Sequence, residues 1–158
     1  DRHTIHMSTL IDSARQQAES LSHGRHTFIW EIESNLNILG NQTELTSAVT
    51  NLLTNAVRYT PDNQSITIKW YKQPDGSARY SVTDTGIGIS SEHLPRLSER
   101  FYTVDKGRSR AMGGTGLGLA ITKHVAMRHD AQLDIQSKLG SGSTFSLVFA
   151  SDRVIAAA

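Results

Sequence analysis

The sequence predicts an α+β fold, a two-layer α/β sandwich with helices covering one face of a mixed sheet. Two observations predict it. Segments in which apolar residues alternate, as in half-buried strands, occur in pairs joined by short turns. Longer segments with helical apolar spacing separate these pairs. Hairpins that alternate with long helices are expected to form one sheet with the helices packed on it.

The composition is that of an ordinary globular domain. The chain has 158 residues, of which 37% are hydrophobic and 20% charged, enough to bury a sizeable core. We see no apolar run long enough to cross a membrane and no signal peptide, so we expect no direct membrane contact. The absence of cysteine excludes disulfides and cysteine-ligated zinc. A net charge of +1 gives no reason to expect nucleic-acid binding.

The first predicted elements are one helix and two strands. Apolar residues at helical spacing from Ser8 to Leu21 predict an amphipathic helix, and Ser22-His23-Gly24 ends it. Alternation from His26 to Glu33 predicts a half-buried strand, and Leu36 to Leu39 a short second strand.

The central elements are a long helix and a hairpin. Thr43 is the predicted N-cap of a helix that extends to about Tyr59, and Pro61 follows its end. Ser65 to Tyr71 and Ala78 to Asp84 alternate as strands, and a Pro-Asp-Gly turn between them predicts a hairpin.

The remaining elements are two helices, a loop and two strands. Their predicted ranges are a short helix from Ser91 to Leu97, a basic loop from Tyr102 to Met112, a helix to Arg128, and strands from Ala131 to Ser137 and Ser143 to Phe149.

A glycine run opens the last long helix, with the sequence Gly113-Gly114-Thr115-Gly116-Leu117-Gly118-Leu119. Glycine allows a close approach of backbone N–H groups to phosphate oxygens, and the helix start adds unpaired N–H groups. The run can also serve close packing alone. The sequence has no P-loop pattern, and the run lacks the GxGxxG spacing of a dinucleotide site.

Two amides lie four residues apart on the predicted central helix. Asn51 and Asn55 therefore point the same way, and their oxygens suit a hard cation such as Mg²⁺. Two polar residues on a solvated face are the alternative. Arg58 and Tyr59 lie one turn further on, where an arginine can reach a phosphate and a tyrosine ring can stack on a base. An ordinary aromatic at a helix end is the alternative for Tyr59.

A carboxylate ends the second strand of the hairpin. Asp84 is followed by Gly86 and Gly88, so it could accept a hydrogen bond from the amine of an adenine lying against the glycines. A simple Asp-x-Gly turn is the alternative. The loop residues Lys106, Arg108 and Arg110 could close over a triphosphate, or could merely be solvated.

Histidines give no metal signature. There is no HExxH pair. His3 and His6, like His23 and His26, are three residues apart, a spacing that can bind metal, but we interpret them as exposed ends of segments.

The glycine run, the amides of the central helix and the Asp84 segment together resemble the ATP-binding domain of sensor histidine kinases, in the superfamily that includes gyrase, Hsp90 and MutL. The resemblance extends from about Phe28 to Phe149, and the run from Pro95 to His124 is similar to that of phosphate-regulon sensor kinases. The matching segments are Asn51 to Pro61 (N box), Asp84 to Ile89 (first glycine box), Glu99 to Tyr102 (F box), Gly114 to Leu119 (second glycine box) and Gly142 to Phe145.

The resemblance implies a Bergerat-type α/β sandwich, in which ATP and Mg²⁺ lie between the N-box helix, the sheet and a mobile lid. It implies that Asn51 and Asn55 hold the metal and that Arg58 contacts phosphate. It implies that Asp84 binds the adenine amine and that Tyr59 stacks near the base. The other nucleotide-binding residues that it implies are Gly86, Gly88, Ile89, Phe101, Lys106, Arg108, Arg110, Gly114, Thr115, Gly116, Leu117, Gly118, Leu119 and Thr144.

One position suggests the reaction. In superfamily members that hydrolyse ATP, this position of the helix resembles a Glu-x-x-x-Asn pattern in which the glutamate activates water. Here Asn51 stands in place of that glutamate, and an amide cannot serve as a general base. The resemblance therefore implies an ATP:protein-histidine phosphotransferase. A nucleotide-binding regulatory module without catalysis and an anti-sigma-type serine kinase on the same fold are the alternatives.

The acceptor is expected on another domain, because no histidine here is followed by Glu-Leu-Arg. We expect residues 1–24 to be a linker helix from a dimerisation domain, 25–151 the ATP-binding domain and 152–158 a tail. The implied partners are that histidine-containing domain and a response regulator of the PhoB type. The chain would be a monomeric cytoplasmic part of a homodimeric bacterial inner-membrane sensor.

Overall fold

The computed structural model describes residues 3–85, 118–138 and 142–156. The short helix predicted from Ser91 to Leu97 and the loop from Tyr102 to Met112 lie outside these residues. The described elements are β1 (His3–Ile5), α1 (Met7–Ser22), β2 (Thr27–Ile32), β3 (Leu36–Gly40), α2 (Gln42–Tyr59), β4 (Ser65–Lys72), β5 (Ala78–Asp84), α3 (Gly118–Arg128), β6 (Ala131–Lys138), β7 (Gly142–Phe149), a 3-10 turn (Ser151–Arg153) and β8 (Val154–Ala156).

The main sheet has five strands in the order β2-β4-β5-β7-β6. Strand β2 pairs with β4 in parallel, and the other three pairings are antiparallel. The predicted hairpin is β4–β5, whose register places Ile66 opposite Asp84. The predicted mixed sheet is therefore confirmed.

The helices pack on one face of this sheet. Helix α2 contacts both α1 and α3, and α3 contacts β6. The core between the layers contains Trp70, Tyr80 and Phe149, each at most 1% exposed. The Tyr80 hydroxyl donates to the Val49 carbonyl oxygen at 3.1 Å, which ties β5 to α2. The predicted two-layer sandwich is confirmed by this packing.

A second, small sheet lies at the ends of the chain. Strand β3 lies between β1 and β8 and pairs with both in antiparallel fashion. Neither β1 nor β8 was predicted, because strands of three residues are too short to show a period of two. The stretch predicted as a tail thus contains β8. It also contains Arg153, which is 4% exposed and contacts the Asp130 carboxylate at 2.9 Å.

Helix α1 shares the core with the rest of the domain. Its residues Leu10, Ile11, Ala14 and Ala18 are at most 3% exposed and belong to the same hydrophobic cluster as the buried residues of α2. The domain boundary at residue 24 stays a prediction. No helix within the described ranges is both long enough and apolar enough to cross a membrane.

The N-cap of α2 differs from the prediction. Asn41, not Thr43, precedes the helix, and its side-chain oxygen accepts a hydrogen bond from the Glu44 backbone N–H at 2.9 Å. Thr43 is exposed within the first turn. Both residue types are good N-caps, so the choice depends on where β3 ends, one residue before Asn41.

Candidate functional site

The chain topology brings the end of α2 to the end of β5. A five-residue connection, residues 60–64, joins α2 to β4. Strand β4 then begins beside the end of β5, where Ile66 pairs with Asp84 and the Thr85 N–H donates to the Ser65 carbonyl at 3.2 Å. The C-terminal turn of α2 and the carboxylate of Asp84 are therefore at the same end of the sandwich.

The start of α3 points to this end as well. The C-terminal end of α3 meets the N-terminal end of α2, because the His129 Nε2 atom accepts the Asn41 N–H at 3.0 Å. Strand β6 follows α3 after two residues and finishes where Lys138 pairs with Gly142, the first residue of β7, next to Ser143, which pairs with Asp84. Since α3 packs along β6, its first turn lies near Asp84's end of the sheet. The first N–H groups of a helix have no partner within it, so this end can bind an anion.

The predicted metal and phosphate residues form one stripe on α2. Asn51, Thr54, Asn55 and Arg58 are all half-buried, whereas Leu52, Leu53 and Ala56 face the core. The Nε atom of Arg58 is buried and has no hydrogen-bond partner within the described residues. Amide oxygens are the hard donors that Mg²⁺ accepts, and a guanidinium N–H without a partner can bind a phosphate oxygen. The stripe therefore fits a metal-bound phosphate group.

The other wall is made by β5 and β7. Asp84 faces the helix layer, because it alternates with Val82 and Tyr80, which are buried there. Ser143 lies directly opposite Asp84 on β7 and is 7% exposed. Gly142 has φ +108°, and a Cβ there would collide with the Asp84 carbonyl oxygen, so glycine is required for this close approach.

Thr144 lies on the opposite face of the sheet. Its hydroxyl is 3.0 Å from that of Thr83, whereas the Ser143 hydroxyl is 2.7 Å from that of Ser137 on the helix side. This placement does not support the predicted contact between Thr144 and the base, since neighbouring side chains of a strand point to opposite faces. Ser143 was not among the predicted site residues, although it alternates with the buried Leu147 and Phe149 on the same strand.

Several predicted site residues cannot be compared with the structure. Tyr59 ends α2 and Gly118 begins α3, but their side-chain environments are not described. Leu119 is half-buried and packs against the core. The predicted residues outside the described ranges are Gly86, Gly88, Ile89, Phe101, Lys106, Arg108, Arg110, Gly114, Thr115, Gly116 and Leu117.

The chain is similar in sequence to one group of known proteins and in fold to another. The chain is 48% identical over 155 residues to the phosphate regulon sensor protein PhoR of Pseudomonas aeruginosa, an alignment that covers 98% of this chain and 35% of that protein. The structure matches the mycobacterial sensor histidine kinase MprB with a TM-score of 0.85 at 23% identity, covering 99% of this chain and 100% of that one. It also matches full-length ShkA in complex with AMPPNP, with a TM-score of 0.82 at 24% identity, covering 100% of this chain and 32% of that one.

A family description agrees with these similarities. The model of the histidine kinase-, DNA gyrase B- and HSP90-like ATPases matches residues 40–153, which include α2, β5, α3 and β7. The chain spans about a third of the length of the PhoR protein that it matches. By this match and by its identity to PhoR, the chain belongs to the histidine kinase-, DNA gyrase B- and HSP90-like ATPase family.

Proposed function

We propose that this chain binds ATP with Mg²⁺ and donates the γ-phosphate to a histidine on a dimerisation domain. The proposal rests on one observation: the stripe on α2, Asp84 and the first turn of α3 lie together at one end of the sandwich. These groups offer the oxygen donors, the cation and the N–H groups that a metal-bound triphosphate requires.

Each part of the nucleotide has a complementary group. The Asp84 carboxylate accepts a hydrogen bond from the exocyclic amine of adenine, and Ser143 adds a hydroxyl beside it. The amide oxygens of Asn51 and Asn55 hold the metal, which when bound neutralises charge on the phosphate oxygens. Arg58 binds a phosphate oxygen through the N–H that has no other partner within the described residues. Tyr59 remains the proposed stacking residue.

The residue at position 51 favours transfer to a protein side chain over hydrolysis. A glutamate there could take a proton from water, but an amide cannot. The unprotonated nitrogen of a histidine imidazole carries a lone pair, so it can attack the γ-phosphorus without first losing a proton, while the bond from phosphorus to the bridging oxygen breaks and ADP leaves with that electron pair. The site then has to supply positioning and charge neutralisation.

The identity to PhoR suggests the setting of this reaction. We propose that the chain is the cytoplasmic catalytic part of an inner-membrane, homodimeric sensor of phosphate starvation. Its partners would be the histidine-containing domain of the same kinase and a response regulator of the PhoB type, which would receive the phosphate. The AMPPNP named with ShkA is consistent with ATP as the ligand.

The test mixes this chain with γ-labelled ATP, Mg²⁺ and a separately made dimerisation domain from a PhoR-type kinase. Label that is acid-labile and base-stable on that domain indicates phosphohistidine and supports the proposal. The double variant Asn51→Ala, Asn55→Ala should lose transfer. Gln42→Ala, an exposed amide change on the same helix, should retain it.

Two results would contradict the proposal. Transfer that persists in the double variant would show that these amides do not hold the metal. ATP binding without transfer to the histidine domain of any PhoR-type kinase tested would favour a regulatory nucleotide-binding module, and label on a serine would favour a serine kinase.

A further inference from the structure

His26 lies in the corner between α1 and β2 and is 8% exposed, not an exposed end of a segment as predicted. Its Nε2 atom is 2.7 Å from the carbonyl oxygen of Thr60, and its Nδ1 atom is 2.8 Å from the hydroxyl of Ser22. A carbonyl can only accept, so Nε2 donates to Thr60. In the neutral ring Nδ1 then accepts from Ser22, whose oxygen in turn accepts the His26 backbone N–H at 3.2 Å.

These hydrogen bonds connect the end of α1 to α2, the helix that carries the proposed phosphate-binding residue Arg58. Thr60 is the C-cap of α2, directly after Arg58 and Tyr59. The same corner holds the residues that follow Thr60, because the Asn63 N–H donates to the Arg25 carbonyl at 2.6 Å and the Gln64 carbonyl accepts the Thr27 N–H of β2 at 3.0 Å. The last turn of α2 is thereby fastened to the end of α1.

Helix α1 also forms the wall beside Arg58. Thr54 and Arg58 of α2 line one side of a groove of about 580 Å³. The other side is formed by α1 and the residue after it, namely Gln16, Gln17, Ser20, Leu21 and His23. The position of α1 relative to the last turn of α2 therefore sets the space in which the Arg58 side chain lies.

We propose that His26 is a positioning residue of the nucleotide site, which acts on bound phosphate through Arg58. The ring bridges Ser22 and Thr60 and so holds the last turn of α2 in one place relative to α1. This inference rests on the proposed function, because it presumes that Arg58 binds a phosphate of ATP.

A matched residue at the other end of α2 provides the control. His129 is 2% exposed, and its ring accepts the backbone N–H of Asn41, the N-cap of the same helix. Helix α2 has 18 residues, so the two histidines act at ends separated by about 27 Å along its axis. If His26 contributed to stability alone, replacing His26 and replacing His129 should have the same effect on ATP binding.

The experiment measures the Kd of this chain for ATP–Mg²⁺ and for adenosine, together with its unfolding by denaturant. His26→Leu should weaken ATP binding about five- to tenfold, the worth of one well-made hydrogen bond, and should weaken adenosine binding less than about twofold. His26→Gln should recover most of the ATP affinity, since its amide N–H can donate to Thr60. His129→Leu should leave both Kd values within about twofold of the original.

The outcomes separate the two proposals. Equal ATP affinity in His26→Leu and the unaltered chain, or equal losses for His26→Leu and His129→Leu, would overturn the role of His26 and leave the proposed function intact. Failure of the unaltered chain to bind ATP would overturn both. Should His26→Leu fail to fold, Ser22→Ala keeps the imidazole and its bond to Thr60 but removes the hydroxyl that bonds the ring and the His26 backbone N–H, and it should weaken ATP binding about two- to threefold, with adenosine unaffected. Unchanged ATP affinity in Ser22→Ala would then overturn the inference.

Discussion

Ser143 and Thr144 are neighbours on β7, and replacing each in turn tests which face of the sheet binds the base. Ser143 lies opposite Asp84 in the register, a position in which the two Cβ atoms are about 5 Å apart. Thr144 points to the other face and pairs with Thr83. Ser143→Ala should therefore weaken ATP binding, and Thr144→Val should not.

The expected loss follows from one hydrogen bond. Removing a hydroxyl that bonds the base or its associated water costs about 1 kcal/mol, or about a fivefold rise in Kd. The stability should change little, because Ser137 loses the Ser143 hydroxyl but keeps the Gly142 carbonyl at 3.0 Å. We therefore expect Ser143→Ala to lower the affinity for ATP while the free energy of unfolding changes little.

Calorimetric titration with ATP–Mg²⁺, beside urea unfolding of the same samples, measures both quantities. A fivefold weakening by Thr144→Val with no effect of Ser143→Ala would refute the assignment of the two faces. Equal and small effects of both would show that the base lies away from this pair, and Asp84→Asn would then be expected to bind ATP normally as well.

Three further changes test the packing of the domain. Gly40→Ala should cost about 1–3 kcal/mol of stability, because its Cβ would lie 2.5 Å from a ring carbon of His129. Gly142→Ala should cost more than about 2 kcal/mol and weaken ATP binding, since it strains a positive φ and pushes on Asp84. Burial raises the pKa of Tyr80, so the folded state keeps its proton; this contribution to stability is present below pH about 10 and is lost above it. Tyr80→Phe should cost about 1 kcal/mol at pH 7, and its disadvantage should shrink by about 1.4 kcal/mol per pH unit above pH 10.

Urea unfolding measures each of these, and each has a control. Gly24→Ala has a similar positive φ, +76°, but open space around the added methyl, so its cost reports strain alone. An equal cost for Gly24→Ala and Gly142→Ala would refute the collision with Asp84. For Gly40→Ala, the cost should shrink in a His129→Ala background. For Tyr80→Phe, a difference from the original that stays constant from pH 8 to pH 11 would contradict the buried hydroxyl as the cause.

The larger elements could be predicted because each carries its own periodic signal. The strands β2, β4, β5 and β7 alternate along their length, and α2 and α3 have apolar stripes that face a sheet. Strands β1 and β8 carry no such signal, since each has three residues and is defined by its pairing with β3. Their existence depends on contacts between the two ends of the chain, which no local pattern reports.

The site shows the same division between local and distant contacts. Asn51 and Asn55 could be recognised as a pair, because a helical spacing of four fixes their common direction. His26 could not be connected with Arg58 in this way, because the link runs through the backbone of Thr60, 34 residues further along the chain. A histidine three residues from another suggests a metal site or an exposed end, and only the fold reveals a buried ring between two helices. Residues that position a ligand-binding group are therefore expected to escape motif analysis wherever they bond to backbone atoms, since the sequence of the partner is then free to vary.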